Sequence, residues 1–150
     1  LQTTATAESL AQQGYDVVVL ATGIRPRTPA LAGIEHPKVL SYVDVLARGA
    51  PVGRRVAIVG AGGIGFDVAE YLTHDPAHDA SVDVAAFAQE WGIDLELRHT
   101  GGVLPGPAAP AAAPREVWLL QRKASKPGEG LGKTTGWIHR TQLRRRGVQM

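Results

Sequence analysis

The sequence predicts an α/β fold built on a parallel sheet, and three observations predict it. Continuous apolar, β-branched runs at Asp16-Val17-Val18-Val19-Leu20-Ala21, Arg55-Val56-Ala57-Ile58-Val59 and Glu116-Val117-Trp118-Leu119-Leu120-Gln121 have the composition of strands buried on both faces. The second run passes straight into Gly60-Ala61-Gly62-Gly63-Ile64-Gly65. After those glycines, Ile64, Val68, Ala69 and Leu72 recur at helical spacing up to Pro76, so strand, turn and helix follow without a gap.

The remaining elements follow in chain order. The first run ends in Thr22-Gly23. Arg25-Pro26-Arg27-Thr28-Pro29 is then a loop, because each proline lacks an amide donor and restrains the residue before it. Ser41 caps a short helix, with Asp44 three positions on completing a capping box. Tyr42, Val45 and Leu46 share one face of it and Gly49 closes its end. Pro51-Val52-Gly53 is a turn. Beyond Pro76 the pattern is less regular, but Val84, Phe87, Ala88 and Trp91 stand at i, i+3, i+4 and i+7 and mark one amphipathic helix. The Gly-, Pro- and Ala-rich stretch from Gly101 to Pro114 reads as a loop. Arg122 to Lys133 is a basic, glycine-bearing loop, and Thr134 or Thr135 caps a last helix running through Trp137, Ile138 and Leu143 to Gly147. The strands at 55–59 and 116–120 are expected to be parallel neighbours joined by a right-handed crossover.

Composition narrows the function classes. Of 150 residues, 44% are hydrophobic, enough for a real core. No apolar run approaches the roughly 18 residues that suggest a membrane span, and no basic-then-apolar leader opens the sequence. The absence of cysteine rules out, within this chain, a disulfide framework, a redox dithiol and cysteine-held zinc or iron-sulfur. A cytoplasmic location fits. The net charge of +2 hides a split. Eight acids stand against Arg98 between Asp67 and Thr100, and nine bases against Glu116 and Glu129 from Arg115 onward. The basic end fits either a solvated face or a site for an anion, a phosphorylated small molecule or a nucleic acid.

Gly60-x-Gly62-x-x-Gly65 is a dinucleotide fingerprint, and each glycine has a mechanical task. The first makes the tight turn, the second admits a pyrophosphate, and the third lets helix and strand pack closely. The helix amino end offers unpaired amides and the positive end of its dipole to the phosphates. The fold class is therefore an incomplete Rossmann-like dinucleotide-binding fold. In NAD-binding proteins the next strand ordinarily ends in an acid that holds the ribose hydroxyls. Here that strand ends in Gln121-Arg122-Lys123. A neutral amide followed by two cations favours a ribose 2′-phosphate, hence NADP over NAD.

Longer stretches carry a resemblance. They are Ala21-Thr22-Gly23-Ile24-Arg25-Pro26-Arg27-Thr28-Pro29, His36-Pro37-Lys38-Val39-Leu40-Ser41-Tyr42 and Gly62-Gly63-Ile64-Gly65-Phe66-Asp67. Above all they include Gln121-Arg122-Lys123-Ala124-Ser125-Lys126-Pro127-Gly128 and Gly132-Lys133-Thr134-Thr135-Gly136-Trp137. Together they closely resemble the bacterial NADPH-dependent 2,4-dienoyl-CoA reductases over nearly the whole chain, the long insertion before the third run included. The resemblance implies a modular flavoenzyme. An amino-terminal barrel holds FMN and reduces the dienoyl thioester, an iron-sulfur cluster relays electrons, and a carboxy-terminal portion binds FAD and NADPH. Only the last portion overlaps this sequence. Residues 1–52 would be the end of the FAD-binding domain and a connector, and 53–150 a truncated NADP-binding Rossmann-like domain. Ala21, Thr22 and Gly23 would lie beside FAD. Gly60, Gly62, Gly63, Ile64 and Gly65 would hold the NADPH pyrophosphate, Arg122 and Lys123 would grip the 2′-phosphate, and Trp137 with Arg140 would line the same pocket. The barrel's proton donor and the cluster's cysteines have no counterparts here. No catalytic residue is therefore expected, and the chain alone should not turn over.

Other features have plainer readings. Trp118, within an apolar strand, and Trp91, on an apolar helix face, read as core. Trp137 fits both stacking on a nucleotide ring and packing of the last helix. His74 and His78 are four apart, but Pro76 between them breaks the helix a metal pair would need, so no metal site is expected. Two further classes compete with the oxidoreductase reading. One is a nucleic-acid-binding module using Trp137 and Arg140 to Arg146, which no named nucleic-acid fold signature supports; the other is a non-catalytic nucleotide-binding remnant. Amine dehydrogenases of the same barrel-linked architecture are the nearest enzymatic alternative.

Overall fold

A computed structural model describes residues 2–106 and 113–150. The chain divides into two compact units, Leu1–His36 and Pro37–Met150. In the first, Thr6 and Ser9 form a capping box that starts helix α1, Ala7–Gln12. The sequence predicts a buried strand over 16–21, and the structure corrects this. Those residues form no strand, and Leu20 is 82% exposed. An apolar run becomes a buried strand only where neighbours bond its two edges and cover its faces, and the described residues supply none.

The second unit holds the sheet. Helix α2, Tyr42–Leu46, begins on the expected capping box of Ser41 and Asp44 and puts Val45 into the core. Strand β1, Arg55–Val59, pairs in parallel with β2, Glu116–Leu120, with Arg55 opposite Glu116 and Val59 opposite Leu120. Beyond β2, Gln149 accepts from the Leu119 amide at 2.8 Å and donates to the Val117 carbonyl at 3.0 Å. The chain end therefore adds a parallel bridge on the far side of β2.

Helix α3, Gly63–Thr73, packs on one sheet face, and helix α5, Gly136–Arg145, packs against α3. Phe66, Val68, Ala69 and Leu72 of α3 meet Val117 and Leu119 of β2 and Leu143 of α5 in one core, closed by Val148. Alternation along a strand sends Val56, Ile58, Val117 and Leu119 to that face and Ala57, Val59, Trp118 and Leu120 to the other. Burial of both faces is not observed: Val59 is 72% exposed. Trp118 is accordingly half-buried rather than core, with the Arg55 guanidinium 5.4 Å from its ring centre.

The insertion between α3 and β2 starts with two single 3₁₀ turns, Pro76–His78 and Ala80–Val82, started by the Asp75 and Asp79 side chains. Helix α4, Val84–Trp91, follows on an Asp83 cap and ends at Gly92 with a left-handed backbone, φ 67°. Its expected apolar face is only partly used. Ala88 is buried and Trp91 half-buried under Arg145, 5.3 Å from its ring centre, while Val84 and Phe87 are exposed. Ile93 and Val103 then form an antiparallel bridge that closes a tight loop. Part of the loop expected from Gly101 to Pro114, residues 107–112, lies outside the described residues; of the rest, Thr100–Gly102 is a 3₁₀ turn.

Buried Asp94 organises that loop. Its carboxylate accepts from the Glu96 amide at 3.0 Å and the His99 amide at 2.7 Å, and lies 2.9 Å from His99 Nδ1. The His99 side chain, followed by the backbone amides, holds the Asp94 carboxyl below its ordinary value of 3.8, against the opposing effect of burial. A carboxyl with a depressed folded pKa contributes stability that is complete above the unfolded value and lost as pH falls through the folded one. In denaturant titrations from about pH 6 down to about pH 3, stability should therefore decline below about pH 4. Asp94→Asn should be less stable at neutral pH and show a flatter acid limb; an unchanged limb would remove Asp94 from the account.

Candidate functional site

The fingerprint glycines sit where the two strands end. The Gly60 amide donates to the Leu120 carbonyl at 2.8 Å, which joins the turn after β1 to the carboxyl end of β2. Gly60 has φ 127°, a backbone that side chains disfavour. A Cβ on Gly65 would stand 1.8 Å from the Gly60 oxygen and 3.3 Å from Leu119 Cδ1. The third glycine is thus needed for α3 to start against β1. A Cβ on Gly62 would meet nothing within 4 Å, and the backbone there is extended with φ −90°. The space beside the second glycine is open, no side chain caps the helix, and Gly62, Gly63 and Ile64 are exposed. Ile64 leaves the apolar face on which its spacing placed it and stands 45% exposed at this opening. The donors are a row of uncapped amides at a helix amino end, an arrangement that accepts phosphate oxygens.

At the end of β2 the Gln121 side-chain amide donates to the Lys123 carbonyl at 2.9 Å and to the Ser125 carbonyl. Gln121 therefore folds the turn that carries Arg122 and Lys123. A carboxylate there could donate to neither carbonyl. Arg122 and Lys123 are both exposed and make no ion pair among the described residues.

The loop that follows folds back over the fingerprint. The Gly128 amide donates to the Ala61 carbonyl at 3.2 Å, and Arg140 Nη1 donates to the Gly128 carbonyl at 3.0 Å. The family resemblance puts Arg140 in the pocket lining, and in the structure its guanidinium is bonded to this loop. Trp137 is 57% exposed at the start of α5. Thr135 stands at the N-cap but makes no side-chain cap. The Gly132 carbonyl instead accepts from the Thr135 and Gly136 amides at 3.2 and 2.7 Å. The part of Gly128 was not read from the sequence, although the Pro127-Gly128 pair is a turn signal that could have shown it.

Ala21, Thr22 and Gly23 are exposed and outside regular structure; Gly23 has a left-handed backbone, φ 82°, and a Cβ there would meet nothing within 4 Å. The basic residues of α5 are largely engaged. Arg145 donates to the Glu90 carbonyl, Arg146 stands 3.8 Å from the Glu90 carboxylate, and His139 lies 3.6 Å from Glu70. Among the described residues no helix is long and apolar enough to cross a membrane, and no group of three candidate metal ligands gathers.

The family described as pyridine nucleotide-disulphide oxidoreductase matches residues 2–150. A metal reductase of Desulforamulus reducens is 29% identical over 141 residues, 93% of this chain and 20% of that protein. A cinnamate reductase of Clostridium sporogenes is 40% identical over 72 residues, 48% of this chain and 10% of that protein. An NADH oxidase of Thermoanaerobacter brockii is 33% identical over 97 residues, 62% of this chain and 14% of that protein. The chain thus spans at most a fifth of the length of these relatives.

Gly62 and Gly65 should respond unequally to substitution. Gly65→Ala forces the helix off the strand and should destabilise the protein by about 1–3 kcal/mol or more in denaturant unfolding. Gly62→Ala, with open space around it, should change stability by less than about 0.5 kcal/mol. Equal costs at both positions would contradict this geometry.

Proposed function

The chain belongs to the pyridine nucleotide-disulphide oxidoreductase family, and from that premise we propose that it is the NADPH- and flavin-binding part of an oxidoreductase that reduces 2,4-dienoyl-CoA thioesters. The family fold is Rossmann-like and binds FAD and NAD(P), which agrees with the parallel pair and the glycine turn. The chain has no cysteine, so the redox dithiol in the family's description is not part of it. Supporting the nucleotide assignment is one observation above the others. An uncapped helix start opens beside Gly62 at the carboxyl ends of both strands, and β2 leads there into a turn bearing two exposed cations.

In this reading residues 1–52 close an FAD-binding domain and connect it to an NADP-binding domain over 53–150. When bound, NADPH would supply a hydride and FAD would take it up. The residues' part is to bind and orient. The Gly62, Gly63 and Ile64 backbone faces the pyrophosphate, Gly60 and Gly65 set the turn, and Arg122 and Lys123 take the 2′-phosphate. Trp137 lies exposed at the start of α5, available to the same nucleotide, and Ala21, Thr22 and Gly23 are assigned to FAD by the family likeness. The thioester substrate, FMN and an iron-sulfur cluster belong to domains outside this sequence, and "reductase" is also the activity in two of the relatives' names. The 150-residue chain, purified free of other flavoproteins, should show no NADPH-dependent reduction of a dienoyl thioester; measurable turnover would refute the division of labour.

Cofactor choice provides the sharper test. A charge-assisted contact contributes roughly 1.5–3 kcal/mol, so Arg122→Ala in the full-length protein should weaken NADPH binding about tenfold or more and leave NADH nearly unchanged. The relative named NADH oxidase makes the opposite preference a real alternative. Equal losses for the two nucleotides in a binding titration would end the selectivity assignment.

A further inference from the structure

We propose that Arg140 is a positioning residue that holds the nucleotide-binding turn in shape through Gly128, and is not a direct ligand of the 2′-phosphate. The inference rests on the reading that the glycine turn takes a nicotinamide nucleotide. Two hydrogen bonds run in series from α5 to the fingerprint. Arg140 Nη1 donates to the Gly128 carbonyl at 3.0 Å, and the Gly128 amide donates to the carbonyl of Ala61, the residue between the first two fingerprint glycines, at 3.2 Å. Both ends of one peptide-linked residue are thus committed, one to the guanidinium and one to the turn.

The packing leaves this residue no freedom. Gly128 is buried at φ 73°, and a Cβ on it would stand 2.6 Å from Phe66 Cζ and 2.8 Å from Leu131 Cδ1. Leu131 in turn lies over the start of α3, its Cδ2 4.0 Å from where a Cβ on Gly63 would be. Gly136 makes room for the other side of the clamp. A Cβ there would stand 2.9 Å from Leu131 Cβ and 3.6 Å from Arg140 Nη1. Arg140 is half-buried between these glycines, whereas Arg122 and Lys123 stand in solvent. A guanidinium hydrogen-bonded to a loop carbonyl acts on whatever that loop positions. Here that is the turn facing the pyrophosphate, which NADH and NADPH share.

The two roles give different selectivity. A ligand of the 2′-phosphate matters to NADPH alone; a residue that shapes the pyrophosphate turn matters equally to both nucleotides. The experiment titrates NADPH and NADH into the full-length protein, wild type and with Arg140→Ala, Arg140→Lys and Arg122→Ala, and follows amide exchange in parallel. Arg140→Ala should weaken both nucleotides by the same factor, about tenfold, while Arg140→Lys, which keeps a donor for the carbonyl, recovers part of the loss. Exchange at Gly128 should quicken in Arg140→Ala with protection of β1 and β2 unchanged. A loss confined to NADPH, or no loss for either nucleotide, would overturn the inference, as would a general loss of protection through both strands. If Arg140→Ala does not fold, Arg140→Lys must weaken the two nucleotides equally, and any other result counts against the proposal. Failure of the wild type to bind either nucleotide would overturn the functional reading and this inference with it; a selective Arg122→Ala beside an inert Arg140→Ala would overturn the inference alone.

Discussion

The contact between Gly65 and the Gly60 carbonyl governs the second unit. With a hypothetical Cβ only 1.8 Å from that oxygen, nothing larger than glycine lets α3 start where β1 stops. That single close approach sets the height of the helix over the sheet. Leu119 can then fill the space under Gly65, and Phe66, Val68, Ala69 and Leu72 reach the sheet face and α5. It also decides where the uncapped amides of the helix end up, beside the open space at Gly62 and the carboxyl ends of both strands. Packing and chemistry therefore depend on the same missing atom.

The charge split in the sequence has a partly internal explanation. The acids between 67 and 100 and the bases after 115 meet across α3, α4 and α5. Glu90 receives Arg146 at its carboxylate and Arg145 at its carbonyl, and Glu70 faces His139. Arg115 donates to the Leu72 carbonyl and Arg140 to Gly128. Arg122 and Lys123 stand in solvent at the end of β2 with no ion pair among the described residues, where the nucleotide reading wants them. Much of what looked like a basic face for an anion is thus the lining that holds the insertion and the last helix to the core, which also weakens the case for a nucleic-acid surface on α5.

What was legible in the sequence was local. The strands at 55–59 and 116–120, the fingerprint helix, the Ser41 box and the helix at 84–91 all follow from patterns contained in a few consecutive residues. What failed depended on partners elsewhere. The run 16–21 has a strand's composition but finds no strand neighbour among the described residues, and Val59, Phe87, Trp91 and Trp118 lack the cover that apolarity alone led one to expect. At the site, the glycine roles were readable because backbone geometry fixes them. The work of Gln121 and Arg140 was not, because it consists of hydrogen bonds to carbonyls in a loop whose path only the fold determines.

The central claim is that the turn from Gly60 to Gly65 is the seat of a dinucleotide whose 2′-phosphate lies at the end of β2. A structure of the full-length protein with NADP bound tests it most directly. The account predicts pyrophosphate oxygens within hydrogen-bond distance of the amides at the start of α3 and the 2′-phosphate beside Arg122 and Lys123. A nucleotide held elsewhere, with the turn beside Gly62 left to solvent, would contradict it.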